Sequence, residues 1–259
     1  MENAEDRYNR RIAEGSNEIP PQWYKPAVDA DVLKSLMQRN NRSAAFSYGV
    51  WFLILGLLGY CAVLTWGNWY AFPVFLLYGT VFSLANPRWH ESLHGTPFKT
   101  PIVNDIFYFI TSAMCHRDMV FSRWSHMNHH SYTIILEKDI EVAARPPVKP
   151  WILWLDFLNL KNGPLMIWML IQHSLGIPSK LARAVVPRSE YTKMFWAARG
   201  ALFLHAAAVG LSIILGSWLP VLLFTFPRFY GGIFVWILIL SQHVGLAQDV
   251  YDHRLCART

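Results

Sequence analysis

The sequence predicts an all-α integral membrane protein with four transmembrane helices arranged as two hairpins. Composition is the first observation: only 15% of the 259 residues are charged, whereas 53% are hydrophobic and 12 are tryptophan. The second is two long stretches of low charge, residues 43–87 with no charged side chain and residues 200–248 with Arg228 alone. Because one span needs about 20 apolar residues, each stretch is long enough for two spans.

Turn-forming residues divide each stretch. Gly67 and Asn68 interrupt the first stretch, while Gly216 and Pro220 interrupt the second, and a tryptophan stands beside each turn. Glycine and proline favour turns, and tryptophan favours the membrane interface. The predicted spans are residues 44–66, 70–87, 198–215 and 220–241.

The basic residues predict the orientation of the spans. The two tight turns lack Lys and Arg, whereas the N-terminal segment, the segment between the hairpins and the C-terminus carry nearly all of them. The positive-inside rule therefore places these segments on the cytoplasmic side. We expect a cytosolic N-terminal segment over residues 1–43 and a membrane domain over residues 44–259. The net charge of +6 suits anionic lipid, and its dispersal along the chain argues against nucleic acid as a partner.

Two further apolar segments are predicted to lie in the membrane interface. Residues 150–177 contain several tryptophans together with Pro164 and His173, and residues 105–114 form a shorter candidate. A full crossing at residues 150–177 would put His126 and residue 243 on opposite sides of the membrane. We therefore expect a cytosolic helical cap between the hairpins.

Two histidine clusters carry the chemistry. His90 and His94 are four residues apart, and His126, His129 and His130 follow on the same predicted side of the membrane. Helical residues three and four apart share one face, so each cluster can direct its imidazoles at one point. Five imidazoles on one side of a membrane predict a metal site.

The number and type of the candidate ligands indicate which metal is bound. Imidazole suits Fe, Cu, Zn and Ni, but a zinc hydrolase usually needs three protein ligands and a nearby carboxylate base. Five or more histidines with few carboxylates fit two ions, and iron suits oxidation of an unactivated C–H bond. His116, His173 and His205 are interpreted as structural polar residues, and the cysteines as small apolar fillers.

The two clusters also carry a family resemblance. Residues 90–96 (HESLHGT) and 124–131 (WSHMNHHS) resemble the first and second histidine boxes of the membrane fatty acid desaturase family, which includes related hydroxylases. Residues 242–254 resemble the segment before that family's third box, and the resemblance extends over residues 20 to 258. It implies four transmembrane helices under a cytosolic cap that holds a nonheme di-iron centre, with His243 as a further ligand.

The resemblance further implies oxygen-dependent formation of a double bond in an alkyl or fatty acyl chain. The sequence contains no haem-attachment or dinucleotide motif, so electrons would come from a ferredoxin, a rubredoxin or cytochrome b5 with its reductase. A hydroxylase of the same architecture is an alternative. A catalytically incomplete protein is another, because no third box precedes Thr259 and only His243 and His253 follow the last span. For such an incomplete protein, the expected occupancy is one weakly held iron or none, without oxygen-dependent turnover.

Supporting residues are predicted as well. A ligating imidazole usually donates its other N–H to a carboxylate or carbonyl, and Asp139 is the first candidate, followed by Asp249 and Asp252. Arg228 lies about eight residues into the fourth span, where a charge costs about 2.5–3.5 kcal/mol. It should therefore face the bundle interior and contact a polar substrate group or brace a helix broken by Pro227 and Gly231.

Overall fold

The computed structural model describes residues 27–141, 149–250 and 252–257, and these residues contain helices and no strand. The all-α prediction is therefore confirmed for the described part of the chain. In chain order, the helices are α1 (Ala30–Leu36), α2 (Asn41–Thr65), α3 (Ala71–Ser83), α4 (Ala85–Leu93), α5 (Pro101–Met114), α6 (Met119–Ser131), α7 (Pro150–Phe157), α8 (Asn162–Ser174), α9 (Lys180–Val185), α10 (Tyr191–Leu215), α11 (Leu219–Phe224), α12 (Pro227–Gly231), α13 (Ile233–His243) and α14 (His253–Cys256).

Two segments are long and apolar enough to cross a membrane, Ala30–Thr65 and Arg188–Leu215. They contain α2 and α10, which agree with the first and third predicted spans. Both helices expose large apolar side chains, for example Leu53 and Ile214. Such faces suit lipid, because monomeric soluble proteins rarely expose large contiguous apolar surfaces.

The second and fourth predicted spans are interrupted helices. A turn at Leu84 separates α3 from α4, so the apolar part of the hairpin ends close to His90. Residues 220–241 fall into α11, α12 and α13, with breaks before Pro227 and at Gly232. The break at Pro227 matches the sequence interpretation, since proline supplies no backbone N–H to the preceding turn.

A close helix crossing joins the two hairpins. A Cβ built on Gly231 would lie 1.9 Å from the Gly79 carbonyl carbon, so the backbones of α3 and α12 are in direct contact. The hydroxyl of Tyr78 donates to Leu223 O at 2.5 Å, and that of Tyr230 donates to Leu222 O at 2.7 Å. Small residues permit this approach, and the hydrogen bonds satisfy carbonyls freed by the helix break.

Helices α5, α9 and α10 pack against α6. Helix α4 packs on α5, and α10 also contacts α5 and α8. The segments predicted to be interfacial are indeed helical, as α5, α7 and α8, while their position in a membrane stays a prediction. Of the predicted N-terminal segment, residues 1–26 lie outside the described residues.

Candidate metal centre

Helices α4 and α6 bring four histidines to one point. His90 lies on α4 and His94 caps its C-terminal end, while His126 and His130 lie one turn apart on α6. One ring nitrogen from each of the four lies within 4.8 Å of the others, so the group could hold a metal ion. The helical spacing thus brings four of the five predicted imidazoles to one point.

Ring nitrogens in this group face one another or lack a hydrogen-bond partner in the described part of the chain. The Nε2 atoms of His94 and His130 face each other at 3.2 Å, and the rings of His126 and His130 have centroids 4.5 Å apart. Nε2 of His126 is buried without a hydrogen-bond partner among the described residues. Buried polar atoms are nearly always paired, so an unpaired nitrogen in a histidine cluster fits a ligating atom.

His129 and His243 form a second pair beside the four. Their ring centroids are 5.2 Å apart, and those of His129 and His126 are 5.6 Å apart. Nδ1 of His243 bonds with Cys256 O at 3.0 Å, which leaves its Nε2 without a protein partner in the described part of the chain. All six predicted ligands therefore lie together, whereas the side chain of His253 lies outside the described residues.

Two carboxylates hold two of the rings. Asp139 accepts from Nδ1 of His129 at 2.8 Å, and Glu141 accepts from Nδ1 of His126 at 3.0 Å. Holding the Nδ1–H leaves Nε2 of each ring as the atom that could bind a metal. Asp139 is the carboxylate that the sequence predicts first. Glu141 is not among the predicted carboxylates, although its spacing of two from Asp139 in a short loop is a usable signal.

The other two predicted carboxylates contact different partners. Asp249 Oδ1 accepts from the backbone N–H of Leu136 at 2.9 Å, and Asp252 bonds with Arg254 at 2.9 Å. Asp249 thereby ties the segment after α13 to the loop after α6. A role for either in supporting ligands stays a prediction.

The cluster favours neutral imidazoles. Burial, reinforced by repulsion from neighbouring histidines, lowers the pKa of His90 to about 3 and that of His130 to about 4. Burial also lowers the pKa of His94. A neutral imidazole can donate a lone pair to a metal without first losing a proton.

The hydrogen bonds between rings and carboxylates favour the charged forms of His129 and Glu141. Burial opposes a charge on His129, but the hydrogen bond with Asp139 and the charges of Asp139 and Glu141 together outweigh it and raise the pKa of His129. Burial likewise opposes ionisation of Glu141, yet the bond with His126 and the charge of Arg117 lower the Glu141 pKa to about 2. Glu141 is therefore placed to act as an anion that orients the ring of His126.

A cavity of about 500 Å³ adjoins the cluster. This volume is within the usual range for small-molecule sites, which are largely apolar with a few placed polar groups. Its polar lining includes His90, His126, His129, His243 and Arg228, and its apolar lining includes Phe121, Leu165, Met166, Leu181, Val235 and Ile239.

Three histidines lie elsewhere. His205 is buried in the bundle and bonds with Ala113 O at 3.1 Å and Thr225 Oγ1 at 3.2 Å, as predicted. His116 bonds with Thr225 O at 2.8 Å, while its Nδ1 has no partner among the described residues. His173 bonds with two other side chains, so its structural interpretation is supported too.

Those two partners make His173 part of a buried hydrogen-bond chain. Its Nδ1 donates to Asp118 at 2.9 Å, and its Nε2 accepts from Ser179 Oγ at 3.1 Å. Asp118 also caps α6, and Ser179 caps α9. The order resembles a Ser-His-Asp triad, but all three residues are buried and do not line the cavity. This buried hydrogen-bond chain therefore positions α6, the helix that carries His126, His129 and His130.

Comparison with known families gives one match. A sequence model of the family described as "Fatty acid desaturase" matches residues 67–258. The sequence matches no curated protein. The matched region contains all six histidines of the two groups, the cavity lining and both supporting carboxylates.

Proposed function

The chain belongs to the fatty acid desaturase family, and from this premise we propose that it is a membrane-bound, oxygen-dependent di-iron oxidoreductase that introduces a double bond into an alkyl or fatty acyl chain. The observation that carries the proposal is the group of four imidazoles, whose ligand atoms lie within 4.8 Å of one another. The proposed ligands are His90, His94, His126, His129, His130 and His243.

The two histidine groups would hold two irons. The four-histidine group supplies enough nitrogen for one ion, and His129 with His243 supplies the start of a second site. Bound iron would activate O2 for removal of hydrogen from an unactivated C–H bond, which no side chain performs alone. Asp139 and Glu141 keep the Nδ1 protons of their rings and so present Nε2 to the metal.

The cavity supports an alkyl substrate. Apolar side chains from α8 and α13 line one part of it, and the histidine clusters line another. An alkyl chain in this cavity would displace water and lie against the ligand histidines. Electrons would come from a separate ferredoxin, rubredoxin or cytochrome b5 with its reductase, as the family suggests.

The membrane setting is proposed on two grounds. The family is membrane-associated, and two helices are long and apolar enough to span. The distribution of Lys and Arg supports a cytoplasmic position for the histidine clusters.

Product analysis tests the reaction. The purified protein would be supplied with Fe(II), O2, an electron donor and fatty acyl substrates, and products would be identified by mass spectrometry. We expect a product lacking two hydrogens, and its loss in His126→Ala. Met127→Ala is the control, because Met127 is an exposed neighbour on the same helix. A product with an added oxygen would identify a hydroxylase, and equal turnover in His126→Ala would contradict the site.

A further inference from the structure

A buried arginine lies beside the candidate metal centre without an acidic partner. Arg228 on α12 is 6% exposed, and no described carboxylate lies within salt-bridge distance of it. A buried guanidinium is costly unless it is paired and hydrogen-bonded. Arg117, which also lines the cavity, differs because its Nη1 lies 3.9 Å from Glu141.

The unused donors of Arg228 form one edge of its guanidinium. Nη1 donates to Asn86 Oδ1 and to Cys115 Sγ, both at 3.1 Å. Nε is buried with no partner, and Nη2 makes no hydrogen bond within the described part of the chain. An Nε–Nη2 edge presents two parallel N–H groups, the geometry that binds a carboxylate with two hydrogen bonds.

This edge belongs to the same cavity as the histidines. Arg228 lines the cavity together with His90 and His126. Its partner Asn86 precedes His90 by four residues on α4, which is one helical turn, or about 6 Å along the axis. A group bound to Arg228 would therefore lie close to the histidine clusters.

A second unpaired donor lines the cavity. The indole Nε1 of Trp236 on α13 is buried and has no hydrogen-bond partner among the described residues. A buried indole N–H usually finds an acceptor. Arg228 and Trp236 thus supply two buried hydrogen-bond donors, one of them charged, and an anion with several acceptor atoms would satisfy both.

We propose that the cavity binds a free alkyl carboxylate, with the acid group on Arg228 and Trp236 and the alkyl chain against the apolar lining. The inference rests on the proposed function, which it narrows to free acids as substrates. Esters and thioesters lack the anionic oxygen pair that this edge of Arg228 would bind. Because Arg228 and Trp236 are both buried and the cavity is about 500 Å³, the head group must be compact.

Binding without turnover tests the proposal. Decanoic acid and its methyl ester would be titrated into the protein in lipid nanodiscs under argon, without reductant, and binding followed by calorimetry. A charge-assisted hydrogen-bond pair should make the acid bind about tenfold more tightly than the ester. Arg228→Gln should remove this preference, and Arg228→Lys should keep only part of it, since lysine lacks the planar fork.

Arg199→Gln is the matched control. Arg199 lies exposed on α10 with its guanidinium over Trp196, outside the cavity lining, so its loss should leave the preference intact. Equal affinity of the native protein for acid and ester would overturn the proposal even if the Arg228 variants fail to fold. A retained preference in folded Arg228→Gln would also overturn it. Because no turnover is needed, acid-selective binding without any product would count against the proposed reaction alone.

Discussion

Asp139 and Glu141 show how single residues organise this site. They lie two residues apart in the loop after α6, yet each orients a different histidine, His129 and His126. Glu141 also accepts from Ser125 Oγ at 2.6 Å. The loop thus fixes two rings from one short segment, and His126 belongs to the four-histidine group.

Glu141 gives the protein an acid-dependent stability. Its pKa is about 2 in the folded protein against an ordinary value of 4.5, so its ionised form stabilises the fold above pH 4.5. That contribution is lost as the pH falls from about 4.5 to about 2. We expect the melting temperature of the metal-free protein to decrease as the pH is lowered through this range. Glu141→Gln should make the dependence of melting temperature on pH less steep.

Thermal unfolding across this pH range, followed by circular dichroism, measures the effect. Asp105→Asn is the control, because Asp105 pairs with Arg123 on the exposed surface. If Glu141→Gln kept the full acid slope, the interaction of Glu141 with His126 would not be the source of that stability.

For single residues, the sequence predicts the two histidine clusters but only one of the two carboxylates that hold their rings. The spacings of His90 and His94, and of His126, His129 and His130, place imidazoles on helix faces without further information. Which carboxylate reaches which ring depends on the path of the loop, where Ile134 adopts a positive φ of 56°. Local spacing does not encode that turn.

The crossing of α3 and α12 leaves no room for a side chain at Gly231. Gly79 and Gly231 place two backbones in contact, and a Cβ on Gly231 would lie 1.9 Å from Gly79. Because the clash is with backbone, a rotamer change cannot relieve it. The same crossing holds α12, and with it Arg228, against the cavity.

Gly231→Ala should therefore destabilise the protein by about 1–3 kcal/mol, as overpacking usually does. Gly210→Ala in α10 is the matched control, since a Cβ there meets nothing within 4 Å and alanine favours a helix. Denaturant or thermal unfolding in the same lipid or detergent would compare them. Equal stability of the two variants would mean that α3 and α12 do not meet as described.

The interruption of the helices was only partly predictable. Pro227 and Gly231 predict a break in the fourth predicted span, and its division into α11, α12 and α13 confirms the break. The turn at Leu84 also has a signal, because Pro87 has no backbone N–H to donate to the Ser83 carbonyl, although the predicted span runs through to residue 87. It arises where α3 gives way to α4, whose packing against α5 is a tertiary effect.

For the whole molecule, the central question is orientation. The sequence predicts four spans with both histidine clusters on the side of the basic residues, and the structure supplies two helices long enough to span. The remaining apolar stretches are broken into shorter helices, so the four-span arrangement stays a prediction.

Cysteine labelling in intact membrane vesicles tests the topology. Lys138→Cys lies in the loop beside the site, and Asn68→Cys lies in the turn between α2 and α3. An impermeant reagent should label the two positions from opposite sides, in a Cys61→Ser background because Cys61 is exposed. Labelling of both from one side would show that the two-hairpin topology is wrong.

The most direct test of the central claim is anaerobic titration of Fe(II) into the purified protein, with bound iron measured by elemental analysis after gel filtration. The account predicts that the native protein and Met127→Ala bind iron, whereas His126→Ala and His90→Ala lose it, because both histidines belong to the four-imidazole group. Iron binding that is unchanged in the histidine variants, or absent from the folded native protein, would contradict the account.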